Sequence, residues 1–239
     1  MAMKKILLIL SSHADMENTD SKTGVWLAEF TEPYYEFVDQ GFSVVLASPA
    51  GGKPPIDPMS KLVEHITPAN RRFDEDGDAQ HLFNNTLPLE SVGATAFDAL
   101  FYPGGHGPLW DLARSETSGK LILDFLAQGK PVGAVCHGPA ALIKAAEMEP
   151  GLLRGKRITA FTDAEEKLVG RFKNIPYELE TTLKEFGADF HSATIPFTTH
   201  VELDGLLVTG QNPMSAGPTA RTLIQLLGAT GELAIVDPL

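Results

Sequence analysis

The sequence has one cysteine, Cys136, in 239 residues. That excludes an intrachain disulfide framework and any zinc site built from several thiolates. Positive charge is scarce as well: 19 Lys and Arg against 31 Asp and Glu leave a formal net charge of −12. Phosphate backbones and anionic lipid surfaces bind clustered cations, so neither a nucleic acid nor a membrane is the expected partner. Long hydrophobic runs are missing too, none approaching the roughly 20 apolar residues that span a bilayer. The apolar run after Lys4-Lys5 lasts only about six residues before Ser11-Ser12-His13, short of a secretory h-region. A buried first strand and a cytoplasmic location are expected.

What the chain does contain is ordinary for a globular protein, with 43% hydrophobic and 21% charged residues. Its length fits one large domain over residues 1–239. Short apolar segments bounded by turn residues predict strands at Lys5–Leu10, Ser43–Ser48, Ala99–Tyr102, Val132–Val135 and Arg157–Phe161. Helical patterns fall at Val25–Val38, Ser118–Gln128, His137–Glu147, Tyr177–Phe186 and Ser215–Leu227. Such alternation predicts a mostly parallel sheet covered by helices on both faces. The Asp204-Gly205 pair predicts a tight hairpin between two further strands. Ala50–Leu89, rich in Pro, Gly, Asp and Asn, breaks the rhythm and is expected to be an ordered inserted cap beside the site.

Cys136 sits where a buried strand gives way to a helix, in Val132-Gly133-Ala134-Val135-Cys136-His137-Gly138-Pro139-Ala140. Most lone cysteines are small core hydrophobes. A turn of this kind instead presents its residue at the top of a sheet, beside a positive helix N-terminus that favours a thiolate. A second run, Tyr102-Pro103-Gly104-Gly105-His106-Gly107, leaves another strand through glycines that permit sharp turning or close approach. Ligands of open α/β sheets bind beyond the carboxyl ends of the strands, so the two turns are expected to meet. Backbone N–H groups of Gly105 and His137 are then placed to stabilise an oxyanion, with Gly104 and His106 beside them. His200-Val201-Glu202 alternates with apolar residues as a half-exposed strand does, so a glutaminase-type triad is discounted. His13, Glu64, His65 and His81 have no metal-binding spacing, and no metal site is expected.

These runs resemble the ThiJ/PfpI superfamily, class I glutamine amidotransferase-like proteins with a nucleophile-elbow cysteine in a flavodoxin-like sheet. The segments Thr23–Glu29, Phe161–Glu166 and Leu207–Ser215 resemble its heat-shock chaperone and glyoxalase III branch. The resemblance spans nearly the whole chain. It implies that Cys136 is the nucleophile, His137 the imidazole beside it, and Glu166, in preference to the adjacent Glu165, the acid orienting that imidazole. It also implies that Glu29 meets the thiol inside the pocket. Read from the sequence alone, Glu29 is an ordinary surface glutamate, and Pro33 soon after it predicts a kinked or terminated helix.

The activity implied is cofactor-independent, glutathione-free conversion of methylglyoxal or glyoxal to a hydroxy acid, through a Cys136 hemithioacetal with Glu29 or His137 as base. The same branch implies a homodimer. It leaves two alternatives open: a stress holdase that binds unfolded protein clients, and a cysteine amidase, peptidase or protein deglycase on the same elbow.

Overall fold

In a computed structural model that describes residues 3–17 and 19–233, the chain runs β1 (Lys5–Ile9), α1 (Leu27–Asp39), β2 (Ser43–Ser48), α2 (Pro68–Glu75), α3 (Gly77–Asn84), β3 (Leu87–Pro88), β4 (Ala99–Tyr102), α4 (Glu116–Ala127), β5 (Val132–Val135) and α5 (Ala141–Met148). It continues through β6 (Arg157–Ile158), α6 (Asp163–Leu168), α7 (Leu179–Glu185), β7 (Asp189–Phe190), β8 (Val201–Asp204), β9 (Leu207–Gly210) and α8 (Ala216–Leu233). The domain expected over residues 1–239 runs past both ends of the described residues.

Seven strands form one sheet in the order β3-β2-β1-β4-β5-β9-β8. All pairings are parallel except the β8–β9 hairpin, where Asp204 faces Leu207 and Gly205 takes φ 59°. The flavodoxin-like α/β expectation holds. Alternation along each strand feeds two cores. Leu7, Leu100 and Ala134 pack with α4 and α5 on one face, whereas Leu8, Phe101 and Val135 pack with α1 and α8 on the other.

Three expectations need correction. Arg157–Phe161 is not a strand of the main sheet; only Arg157–Ile158 is extended, paired with β7 in a separate two-stranded sheet. Pro33 does not end its helix, which continues to Asp39. Proline lacks only its own N–H donor, and here the buried face of α1, with Phe30, Tyr34 and Phe37, holds the helix together. The helix after Cys136 begins as a 3-10 turn at Gly138–Ala140 before α5. The segment 50–89 contains α2, α3 and two 3-10 turns, and its Asp57, Met59 and His65 reach the cavity described below.

The path into the elbow is tightly packed. A Cβ on Gly133 of β5 would lie 2.6 Å from the Phe101 ring. Gly133→Ala is therefore expected to lower stability by about 1–3 kcal/mol, read as a fall in urea midpoint without a change in slope.

Candidate active site

The turns that follow β4 and β5 meet at one cavity. Cys136 follows β5 directly; its N–H donates to the Gly210 carbonyl at 2.9 Å and its carbonyl accepts from Phe161 N–H at 2.9 Å. Those two bonds hold it at φ 60°, a left-handed conformation that costs an L-residue roughly 1–2 kcal/mol. The thiol is thereby aimed into a cavity of about 250 Å³. Its apolar walls include Trp26, Phe161 and Phe197; its polar lining includes Glu29, Asp57, His65, His106 and His137.

The structure brings Cys136, His137 and Glu166 into one chain. His137 Nδ1 lies 3.4 Å from Cys136 Sγ, and His137 Nε2 lies 2.7 Å from Glu166 Oε2. The other carboxylate oxygen, Oε1, is 2.8 Å from His106 Nε2, and the two imidazole rings sit 4.2 Å apart. Burial alone would raise the Glu166 carboxyl, but hydrogen bonds from His106 and His137 hold it well below the usual carboxylate range. An ionised carboxylate only accepts, so both Nε2 atoms carry protons. Burial, and next the adjacent His106, push His137 below its ordinary value. A neutral His137 protonated on Nε2 presents the Nδ1 lone pair to sulfur. The Glu165 carboxylate instead bonds Thr162, Phe197, Gln211 and Asn212.

His106 thus has a contact that sequence reasoning did not assign. One ring nitrogen each of His106 and His137 and an oxygen of Glu166 lie within 4.8 Å of one another, a grouping that could also hold a metal ion. In the structure each imidazole Nε2 is instead bonded to its own oxygen of Glu166.

Glu29 is fully buried on α1. Gly104 N–H donates to its Oε2 at 3.0 Å, while Oε1, equally buried, has no hydrogen-bond partner. The Gly104 N–H is therefore committed to Glu29, and Gly104 does not itself line the cavity, unlike Gly105 and His106. A Cβ on Gly104 would fall 2.5 Å from Glu29 Oε2 and 2.9 Å from Cys136 Cβ, so glycine is what lets carboxyl and thiol approach. Burial pushes both groups up, and the Glu29 carboxyl raises the thiol further; the Gly105 N–H partly offsets this. A thiolate favoured by the helix terminus was expected at rest. The structure corrects that: Cys136 is 3% exposed, and desolvation outweighs the terminus.

The remaining histidines divide. His65 enters the cavity and meets Trp26 edge-on at 4.9 Å, whereas His13 stacks on Trp110. Glu202 was expected to face solvent; it is 6% exposed, bonded through Oε2 to Arg157 and 3.0 Å from His200 through Oε1. The alternation is inverted because Leu203 points outward. Neither His200 nor Glu202 lines the cavity. Asp57, Arg171, Phe197 and Met214 line it unforeseen, since each comes from a loop or turn without a periodic signal.

The sequence pattern of the DJ-1/PfpI family matches residues 21–226. The chain belongs to the DJ-1/PfpI family. Within that family it is 34% identical to the glutathione-independent glyoxalase HSP31 of Saccharomyces cerevisiae, covering 95% of this chain and 99% of that one. Its fold matches glyoxalase III from Candida albicans with a TM-score of 0.85 at 28% identity, over 94% of this chain and 97% of that one. It also matches the Rapid Encystment Protein 24 kDa of Francisella tularensis, with a TM-score of 0.89 at 36% identity over 94% of this chain and 99% of that one.

The two carboxyls give opposite pH dependences. Glu166 and His137 are depressed in the fold, so their contribution is present above their ordinary values of 4.5 and 6.5 and is lost as pH falls. The stability gap between wild type and Glu166→Gln is expected to be full at pH 7.5 and to narrow steadily on acidification, in urea titrations at stepped pH. Glu29 is raised, so its protonated form favours folding and ionisation on the alkaline side opposes it. Glu29→Gln is expected to gain on wild type as pH rises above the carboxyl's ordinary value of 4.5, in the same titrations.

Proposed function

We propose that the protein is a glutathione-independent glyoxalase of the glyoxalase III type, converting methylglyoxal or glyoxal to the corresponding hydroxy acid. The observation that carries this reading is the convergence of the Cys136 thiol, His137 Nδ1 and the unpartnered Glu29 Oε1 in one small, mostly apolar cavity. The near-full-length similarity to proteins named glutathione-independent glyoxalases supports it.

In this mechanism the thiol proton passes to His137 Nδ1 as sulfur adds to the aldehyde carbon, and the imidazolium then returns it to the carbonyl oxygen to give the hemithioacetal. His137 keeps its Nε2 proton on Glu166, which offsets the positive charge the ring acquires. Glu29 then removes the hydrogen from the former aldehyde carbon. In the resulting enediolate the proton of the former aldehyde oxygen moves to the neighbouring oxygen, Glu29 returns its proton to the neighbouring carbon, and the adduct becomes a thioester. Water cleaves the thioester, restoring the thiol and releasing the hydroxy acid, so the net change is addition of one water to the dicarbonyl. A carboxyl pushed up by burial is a stronger base than an exposed one and so better suited to take and return a proton. The N–H of Gly105, which already reaches the sulfur, lies where negative charge develops on the adduct.

Supporting a second activity, aggregation suppression, are the large hydrophobics exposed around the mouth: Met59, Val169, Phe197 and Met214. A homodimer and a cytoplasmic location accompany the proposal, and sedimentation velocity decides the first. No described helix is long and apolar enough to cross a membrane.

Purified protein given methylglyoxal without glutathione is expected to form lactate, detected by chiral chromatography, and Cys136→Ser to form none; no lactate above that control overturns the assignment. Glu29→Gln is expected to lower kcat by about 10²–10⁴-fold, the usual share of a general base. Full turnover in that variant removes Glu29 from the role.

A further inference from the structure

Among the described residues, two that are not glycine have positive φ: Cys136 and Phe197, each at 60°. Both line the cavity. A bulky side chain keeps this conformation only where its surroundings impose it. At Phe197 the imposing group is Glu165, the residue set aside as triad acid. Its Oε1 accepts from Phe197 N–H at 2.8 Å, from Gln211 Nε2 at 3.0 Å and from Asn212 Nδ2 at 2.9 Å. Its Oε2 accepts from Thr162 N–H at 3.0 Å and Thr162 Oγ1 at 2.9 Å, closing the capping box of α6. Glu165 is completely buried. Gln211 and Asn212 carry the clamp onward: Gln211 Oε1 accepts from Ala193 N–H at 2.8 Å, and Asn212 Nδ2 donates to the Thr198 carbonyl at 2.8 Å. The loop 193–198 is thus fastened at both ends and at Phe197.

That fastening sets the Phe197 ring 6.1 Å from the Phe161 ring, which in turn lies 4.7 Å from the His137 imidazole. Phe197 is 39% exposed, so its ring stands at the mouth between solvent and Phe161. Nothing in the thiol chemistry uses Glu165 or Phe197. Yet a strained backbone and a saturated buried carboxylate are both spent on one aromatic wall.

We propose that Phe197 sets the upper size limit for molecules reaching Cys136, and that Glu165 is the positioning residue that holds it there. Compact 2-oxoaldehydes pass; those with an aryl substituent are hindered at the mouth. The substrates named rest on the glyoxalase reading, but access to the thiol does not.

The test exploits Cys136 as the sole cysteine. Alkylation by iodoacetamide and by an N-aryl maleimide reports access for a small and a bulky reagent, and their rate ratio cancels the thiol's own reactivity. In parallel, kcat/KM is measured for phenylglyoxal and methylglyoxal. Phe197→Gly removes the ring and adopts positive φ freely; Phe197→Ala removes the ring and keeps the strain. Both variants are expected to raise the bulky-to-small alkylation ratio and the phenylglyoxal-to-methylglyoxal ratio at least tenfold, with the enzymatic change falling mainly on KM. Glu165→Gln, which presents an amide to one set of donors, is expected to move both ratios the same way by a smaller factor. Combined with Phe197→Gly, it is expected to add nothing further, because the wall it positions is gone.

Alkylation ratios within twofold of wild type in both Phe197 variants overturn the proposal. So does a Glu165→Gln effect that persists undiminished without the ring. If wild type forms no lactate while the alkylation ratios move as expected, the glyoxalase reading fails and the size limit stands.

Discussion

The two hydrogen bonds that Glu166 accepts, from His106 Nε2 and His137 Nε2, decide which atoms of the site are left to react. With its Nε2 proton fixed there, His137 has only Nδ1 to offer, and that atom faces the sulfur. Had the ring been protonated on Nδ1 instead, it would meet the thiol as a donor and could not take its proton. The burial that makes this arrangement demanding also makes it strong, since a charge-assisted bond in a desolvated site is worth more than one in water. His106 completes the coordination of the carboxylate, and its ring lies tilted 4.2 Å from that of His137, limiting how far that imidazole can swing.

Around this anchor, two carboxyls in one cavity are driven in opposite directions by their partners. Glu166 has imidazole donors on both oxygens and stays ionised. Glu29 has one backbone donor, a bare Oε1 and a thiol beside it, and burial raises it. Environment, and not residue type, separates a carboxylate held as an anion from a carboxyl pushed toward protonation. The raised thiol belongs to the same logic. A thiolate beside an ionised Glu29 would put two unscreened anions side by side, and burial together with Glu29 pushes the thiol toward its neutral form.

Much of this was legible in the chain. The parallel core could be read because buried strands such as Val132–Val135 are short apolar runs bounded by turn residues, and the elbow could be read because its strand and helix patterns abut at Cys136. The roles of Glu29 and Glu166 entered only through resemblance. Glu29 lies on α1 one turn after Val25, a pattern compatible with either face, and what buries it is Gly104, 75 positions away. Glu202 was misjudged for a related reason: strict alternation says which residues share a face but not which face is inward, and Arg157 supplied the partner that let the carboxylate be the buried one. The loop residues of the mouth had no signal at all. Phe197 takes its conformation from a carboxylate 32 positions earlier, and no local propensity predicts an aromatic residue at positive φ.

The adjacency of Glu165 and Glu166 has a mechanical meaning. Consecutive helical residues point about 100° apart, so one short helix can aim two carboxylates at different targets. Glu165, at the third position of α6, closes the capping box and reaches the Phe197 loop; Glu166 turns to the imidazoles. One helical turn therefore serves two walls of the same cavity: Glu165 holds the loop that carries Phe197, and Glu166 holds the Nε2 protons of the two imidazoles.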